Sequence, residues 1–396
     1  MSVSGRDIAK HHGEGLVRPR LLYVIGTRPE VIRSAGILSL LRDDDMIELI
    51  LLNTLQHYDD SMMSDLLKEL DIQPATHTLP RYDSQPGIRA GQMIEGIARI
   101  LATEHIDAVA VYGDTDSSLT AALAAAKASI PVIHVEAGCR SGDLRMQEEL
   151  NRRLIDHMSD LLLAVSVNCA KNLLEEKVTG SLVITGDPQF DVFVKTAPKP
   201  IDFQNRDRSA FITIHRSENV DDPKFLPAFL EALESLANQS GMRFIWPVHP
   251  RARAKILELI KGGAGFDGLN LVDPMPYGLA MTALAHSMIC ITDSGGLQKE
   301  AFWLQVPCVT IRPSTEWIET VEMGANRLAP TLESFAEVAI HSLDSPKAIR
   351  WYPDPYGGAG SDHRVAMEIS SWLGSTFNAC KAHSSIDPWM KEDQNS

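Results

Sequence analysis

The stretch Thr292-Asp-Ser-Gly-Gly-Leu-Gln-Lys-Glu300 joins the apolar run Met288-Ile-Cys-Ile291 to a helical pattern from Gly295 to Leu304. The apolar run predicts a buried parallel strand, so the order is strand, Ser-Gly-Gly turn, helix. Such a junction aims free backbone N–H groups and the positive end of a helix dipole at one spot, which favours an anion. Gly295 and Gly296 lack Cβ and let a phosphate approach the backbone. Glu300 falls one turn into the helix, at a reach suited to the two hydroxyls of a ribose. Together these suggest a nucleotide diphosphate held by Ser294, Gly295, Gly296 and Glu300. A glycine pair at such a junction also serves tight packing alone, and both readings stand at this point.

Outward from this stretch the same alternation recurs. Leu21–Ile25, Ile47–Leu52, Ala108–Tyr112, Pro131–Val135, Leu161–Ala164 and Leu182–Ile184 read as strands, separated by helical patterns such as Val31–Arg42, Gly87–Glu104, Leu119–Lys127 and Leu150–Met158. After the proline-bearing, polar stretch Ala197–Arg206 the alternation resumes with Ala210–Ile214, Phe244–Trp246, Leu269–Val272, Met288–Ile291 and Cys308–Ile311. This predicts an α/β protein of two doubly wound, Rossmann-like domains facing a cleft, residues 20–196 and 207–360. A helix within 361–380 would cross back to the first domain, between a disordered leader (1–19) and a disordered tail (381–396). Ligands belong at the carboxyl ends of the strands.

Composition narrows the function. The chain has 396 residues and a net charge of −15, which argues against a nucleic-acid surface. No apolar run is long enough to span a membrane, and the polar N-terminus lacks the apolar core of a signal peptide. The five cysteines are scattered without a C-x-x-C pair, which fits reduced thiols in a cytoplasmic protein and gives no metal site. No Gly-x-Gly-x-x-Gly follows the first strand, so no nicotinamide cofactor is expected.

Several strand exits carry chemistry. In Gly26-Thr-Arg-Pro-Glu-Val-Ile-Arg33, Pro29 suits a first helical turn and Arg28 reads as a phosphate clamp or a solvated loop arginine. In Gly113-Asp-Thr-Asp-Ser-Ser118, Asp116 or Ser117 can cap the helix and leave Asp114 for chemistry. Glu136 closes an apolar strand in His134-Val-Glu-Ala-Gly138, where a carboxylate must be paired or used. Glu148 and Arg152 are spaced i, i+4 and read by pattern as a surface ion pair. His215-Arg216 and Trp246-Pro-Val-His249-Pro250-Arg251 place basic groups at two exits of the second domain.

The order Gly26-Thr-Arg-Pro-Glu30, Gln56-His57, Gly113-Asp-Thr115, His134-Val-Glu-Ala-Gly138, Glu148-Glu-Leu-Asn-Arg152, His215-Arg216, Pro247-Val-His-Pro250, Asp293-Ser-Gly-Gly296 strongly resembles the non-hydrolysing UDP-N-acetylglucosamine 2-epimerases over residues 20–378. The resemblance implies the two-domain fold of glycosyltransferase-B type and interconversion of UDP-N-acetylglucosamine and UDP-N-acetylmannosamine without cofactor. It implies Asp114, Glu136 and Glu148 as acid–base groups, with His215 and Arg28 near the diphosphate. Arg152 would orient Glu148 or touch the sugar, Arg216 and His249 would join the binding set, and a homodimer is expected. Departures are Lys299 for a second Glu, Ala280 for a Phe beside the uracil, Gln147 for Pro, Leu55 for Gly before Gln56, and Trp317 for an Arg near the nucleotide. The last variant also appears in relatives acting on UDP-2,3-diacetamido-glucuronic acid. A hydrolysing relative releasing UDP and N-acetylmannosamine would share most of these residues.

Overall fold

The structure, a computed structural model, describes residues 18–56, 60–82, 85–248, 250–264, 266–344 and 346–384. Seven parallel strands form a first sheet: β1 (Arg20–Ile25), β2 (Glu48–Asn53), β3 (His77–Thr78), β4 (Ala108–Tyr112), β5 (Val132–Ala137), β6 (Leu161–Ala164) and β7 (Ser181–Ile184). Six form a second: β8 (Asp207–Thr213), β9 (Arg243–Pro247), β10 (Leu269–Val272), β11 (Ser287–Thr292), β12 (Cys308–Thr310) and β13 (Asn326–Leu328). Their orders are β3-β2-β1-β4-β5-β6-β7 and β10-β9-β8-β11-β12-β13. Every interior strand expected from its apolar run is present within a few residues. The short edge strands β3 and β13 carry no apolar run and were not expected.

In each sheet the strand order reverses once, between β1 and β4 and between β8 and β11. Chains leaving the two strands of such a switch point diverge and open a crevice at their carboxyl ends. The exits of β1, β4, β8 and β11 are the motif-bearing segments, beginning at Gly26, Gly113, Ile214 and Asp293. Topology alone therefore gathers residues from opposite ends of the sequence.

The local chemistry at these exits is built tightly. Helix Arg28–Arg42 starts on a capping box, with Thr27 accepting from the Glu30 amide and Glu30 accepting from the amides of Gly26 (2.9 Å) and Thr27 (2.8 Å). A Cβ on Gly26 would collide with the hydroxyls of Ser117 and Thr54, so only glycine lets β1 and β4 exits lie this close. Helix Asp116–Lys127 is capped by Thr115, whose hydroxyl accepts from the Ser118 amide at 3.2 Å. This corrects the expectation of Asp116 or Ser117 as cap, because Thr115 is the residue with extended backbone.

The final helix, Ser361–Ser384, packs on the first sheet. Val365, Ala366, Ile369 and Leu373 recur at helical spacing and join Leu21, Tyr23, Val31 and Leu38 in one buried cluster. Its start is tied by Arg364 Nε donating to the Thr185 carbonyl (2.6 Å) and by the Asp362 amide donating to Asp191 (3.0 Å).

Candidate active site

The exits of β4 and β5 present the acidic groups. Asp114 follows Gly113, whose φ of +67° turns the chain sharply out of the sheet. Glu136 sits in an irregularity of the β5–β6 register, between Val135 and Ala137, with φ +72°. A left-handed glutamate in a bulge is costly backbone, and bulges re-aim side chains beside sites. Here the bulge sends a carboxylate out of an otherwise apolar strand to Arg33, whose Nη1 donates to Glu136 Oε2 at 3.0 Å. The Arg33 guanidinium also lies 5.3 Å from the centroid of the Tyr112 ring. Burial favours loss of its charge, but Glu136 outweighs this and raises its pKa. Behind the strand, His134 Nδ1 meets Asp156 (2.6 Å) and its Nε2 meets the Gly113 carbonyl (2.9 Å), fixing the β4 exit against β5.

The expected Glu148–Arg152 partnership is absent. Arg152 is buried, and its guanidinium pairs with Asp114 through Nη2 and with Glu149 Oε2 at 3.2 Å. Glu149 is fully buried and also accepts from the Ser141 amide (2.8 Å) and hydroxyl (3.0 Å). The physical reason is direction: Glu149 and Arg152 occupy the inward face of helix Gln147–Met158, whereas Glu148 is exposed. Glu148 reaches the cleft from its mouth, without the arginine expected to orient it.

The second sheet presents donors. Helix Gly295–Trp303 begins at Ser294, whose side chain caps nothing, so the first amides stay available. A Cβ on Gly295 would strike the Glu316 carboxylate, and one on Gly296 would stand 3.4 Å from Gln189 Nε2. Close packing therefore requires glycine at Gly295, and the same bareness exposes the backbone to the cleft. Glu300 is buried and accepts from Tyr277 Oη (2.8 Å) and Gln189 Nε2 (2.9 Å). Burial pushes its carboxyl up, against the pull of those two donors.

His215 and Arg216 are organised by Asp293, a fully buried carboxylate. Asp293 accepts from the amides of His215 (3.2 Å) and Arg216 (3.0 Å) and pairs with His215 Nδ1 at 3.1 Å. Burial alone would raise the Asp293 pKa; the His215 ring and its other donors overcome this and lower it. The His215 side chain is 59% exposed and does not line the cavity, whereas Arg216 does. His249 and His57 lie outside the described residues.

These walls enclose a cavity of about 480 Å³. It gathers Arg28, Asp114, Glu136, Glu148, Arg152, Arg216, Ser294, Gly295, Gly296 and Glu300 of the residues expected from sequence. It adds Arg33, Gln189, Tyr277 and Glu316, which the sequence did not assign to it, and Trp317, which the resemblance puts near the nucleotide. Arg33 had a signal, since Pro29, Ile32 and Arg33 share one helical face beside Arg28. Gln189 and Tyr277 had none, being ordinary polar residues brought in by tertiary packing. Glu316 is held by Arg312 (3.0 Å); burial would raise its pKa, but Arg312 and Arg152 bring it down to about 2.

Lys299, read as a departure, is fully buried one position before Glu300. Its Nζ pairs with Asp187, which caps helix Pro188–Thr196, and lies 3.7 Å from the centroid of the Trp317 ring. Burial would lower its pKa, and Asp187 more than compensates. Among the described residues no group of three or more His, Cys, Asp or Glu is placed to hold a metal, and no helix is long and apolar enough to cross a membrane.

The family model described as UDP-N-acetylglucosamine 2-epimerase matches residues 39–370. The UDP-2,3-diacetamido-2,3-dideoxy-D-glucuronate 2-epimerase of Pseudomonas aeruginosa is 35% identical over 358 residues, 89% of this chain and 99% of that protein. The UDP-N-acetylglucosamine 2-epimerase of Methanocaldococcus jannaschii is 32% identical over 89% of this chain and 99% of its own length. The crystal structure of a Methanocaldococcus jannaschii UDP-GlcNAc 2-epimerase in complex with UDP-GlcNAc and UDP aligns with a TM-score of 0.77 at 30% identity, covering 89% of this chain and 99% of that one. With its two parallel sheets and its cleft at both switch points, the chain belongs to the UDP-N-acetylglucosamine 2-epimerase family.

Proposed function

We propose that this chain interconverts UDP-N-acetylglucosamine and UDP-N-acetylmannosamine by inverting C2. The observation that carries the reading is the meeting of Asp114 and Glu136 with the Ser294–Gly296 helix start in a single cavity. The C2 proton has no adjacent carbonyl to stabilise a carbanion, so its removal must be coupled to departure of a leaving group. A carboxylate takes the C2 proton, those electrons form the C1–C2 double bond, and the C1–O bond breaks with its pair going to UDP. The product is a 2-acetamidoglucal held beside UDP. Protonation of C2 from the other face and re-addition of a UDP oxygen to C1 give the epimer, with no net redox change.

In this reading Asp114, Glu136 and Glu148 handle protons around the ring, which requires carboxylates at working protonation on more than one side. Arg33 and Arg152 set the charge around Glu136 and Asp114. Arg28, Arg216, Ser294, Gly295 and Gly296 hold the diphosphate, with His215 at its edge, and donors aimed there stabilise the leaving charge. Glu300 holds the ribose. Residues 20–196 carry the acid–base groups, residues 207–360 carry the nucleotide, and 361–380 tie the two together. A cytoplasmic homodimer that takes a UDP-sugar is part of the same proposal.

A second substrate, UDP-2,3-diacetamido-glucuronic acid, is favoured by the Pseudomonas aeruginosa relative. Proton NMR in D₂O with each sugar nucleotide tests both. Deuterium at C2 together with the UDP-bound epimer is the expected result, and the sugar that gives it faster is the substrate. Release of UDP and free N-acetylmannosamine would replace epimerisation by hydrolysis. No exchange with either sugar would overturn the reading.

A further inference from the structure

Trp317 stands where the cleft wall has an unanswered donor. It is 3% exposed, and its indole Nε1 is buried without a hydrogen-bond partner. A buried N–H left unpaired costs free energy, which an acceptor from a ligand recovers. That nitrogen is 3.5 Å from the point where a Cβ on Gly295 would stand, a point the Glu316 carboxylate approaches more closely still, so the indole edge lies beside the start of helix Gly295–Trp303. Trp317, Ser294, Gly295 and Gly296 line the same cavity.

The ring is not free to turn away. Lys299 Nζ sits 3.7 Å from its centroid and is itself clamped by Asp187, while Tyr356 meets the ring edge-on at 5.8 Å between centroids. A cation over the π face withdraws electron density and makes the indole N–H a stronger donor to an anion. The Glu316 carboxylate nearby is already matched by Arg312 at 3.0 Å.

We infer that the Trp317 indole N–H donates to a diphosphate oxygen of the nucleotide, beside the amides of Gly295 and Gly296, with Lys299 as the residue that positions the ring. Lys299 and Trp317, both departures from the family pattern, then form one device in which a buried ammonium acts on the phosphate through an aromatic ring. The inference rests on the cleft being a UDP-sugar site.

The test is calorimetric binding of UDP and of uridine to the full-length protein and to Trp317→Phe, which keeps an aromatic ring beside Lys299 and removes the N–H along with the rest of the fused second ring; uridine is the control for the lost volume. UDP should bind about tenfold more weakly to the variant and uridine unchanged within about twofold. Independently, the indole ¹⁵N–¹H resonance of Trp317 in the wild type should move downfield with UDP and not with uridine. Equal weakening of both ligands, unchanged UDP affinity, or an indole resonance that ignores UDP would each overturn the assignment. Wild-type protein that binds UDP in this way yet fails to epimerise would sink the proposed reaction and leave the Trp317 assignment standing.

Discussion

On the first-sheet wall Asp114 and Glu136 each meet an arginine, Arg152 and Arg33, before any substrate arrives. On the second-sheet wall the amides after Ser294 and the Trp317 indole await an acceptor. Each of these carboxylates is therefore already in contact with a guanidinium, and a substrate must fit around that pair or displace it. Donors at a helix start need only an anion to arrive. The contrast separates proton chemistry on one wall from nucleotide binding on the other.

The sharpest way to break this division is Glu136→Gln or Asp114→Asn. Each should lower turnover about 10²- to 10⁴-fold and leave UDP affinity within about twofold. Steady-state rates set beside calorimetric Kd values decide it, and parallel loss of binding would dissolve the separation.

A slightly smaller effect concerns what joins the walls. Lys299→Met strands the Asp187 carboxylate in a dry interior, and chemical denaturation should register a loss of about 3 to 5 kcal/mol. Adding Asp187→Asn, which keeps the helix cap, should recover part of it. No recovery would mean that Lys299 matters through Trp317 rather than through Asp187.

The smallest effect is a pH signature at the seam. The Glu316 carboxyl, held at about 2 against an ordinary 4.5, gives stability that is fully present above pH 4.5 and lost as pH falls toward 2. Glu316→Gln should therefore cost about 3 kcal/mol at pH 7. The gap between variant and wild type should close progressively from pH 4.5 to pH 2. A gap independent of pH would show that the residue acts by shape alone.

Much of the fold was legible because interior parallel strands must be apolar on both faces, as β1, β4, β8 and β11 are. The edge strands β3 and β13 escaped, since two or three half-covered residues leave no pattern. In the site, Asp114, Glu136 and the Ser294–Gly296 turn could be read because strand exits at a switch point face the cleft. The choice between Glu148 and Glu149 as partner of Arg152 could not, because it depends on which face of the helix points inward. Trp317 and Lys299 were visible as departures, but their contact joins a helix to a loop well separated in sequence.

The last helix gives the molecule an order of assembly. Val365, Ala366, Ile369 and Leu373 belong to the same buried cluster as Leu21 and Val31. As the chain leaves the ribosome, the first sheet can pair its strands once β7 has emerged, yet its apolar flank stays uncovered for about 180 further residues, until the final segment emerges. Throughout synthesis of the second domain the nascent protein carries that open face. A stop codon anywhere before Val365 would therefore injure the half of the protein that had been made first.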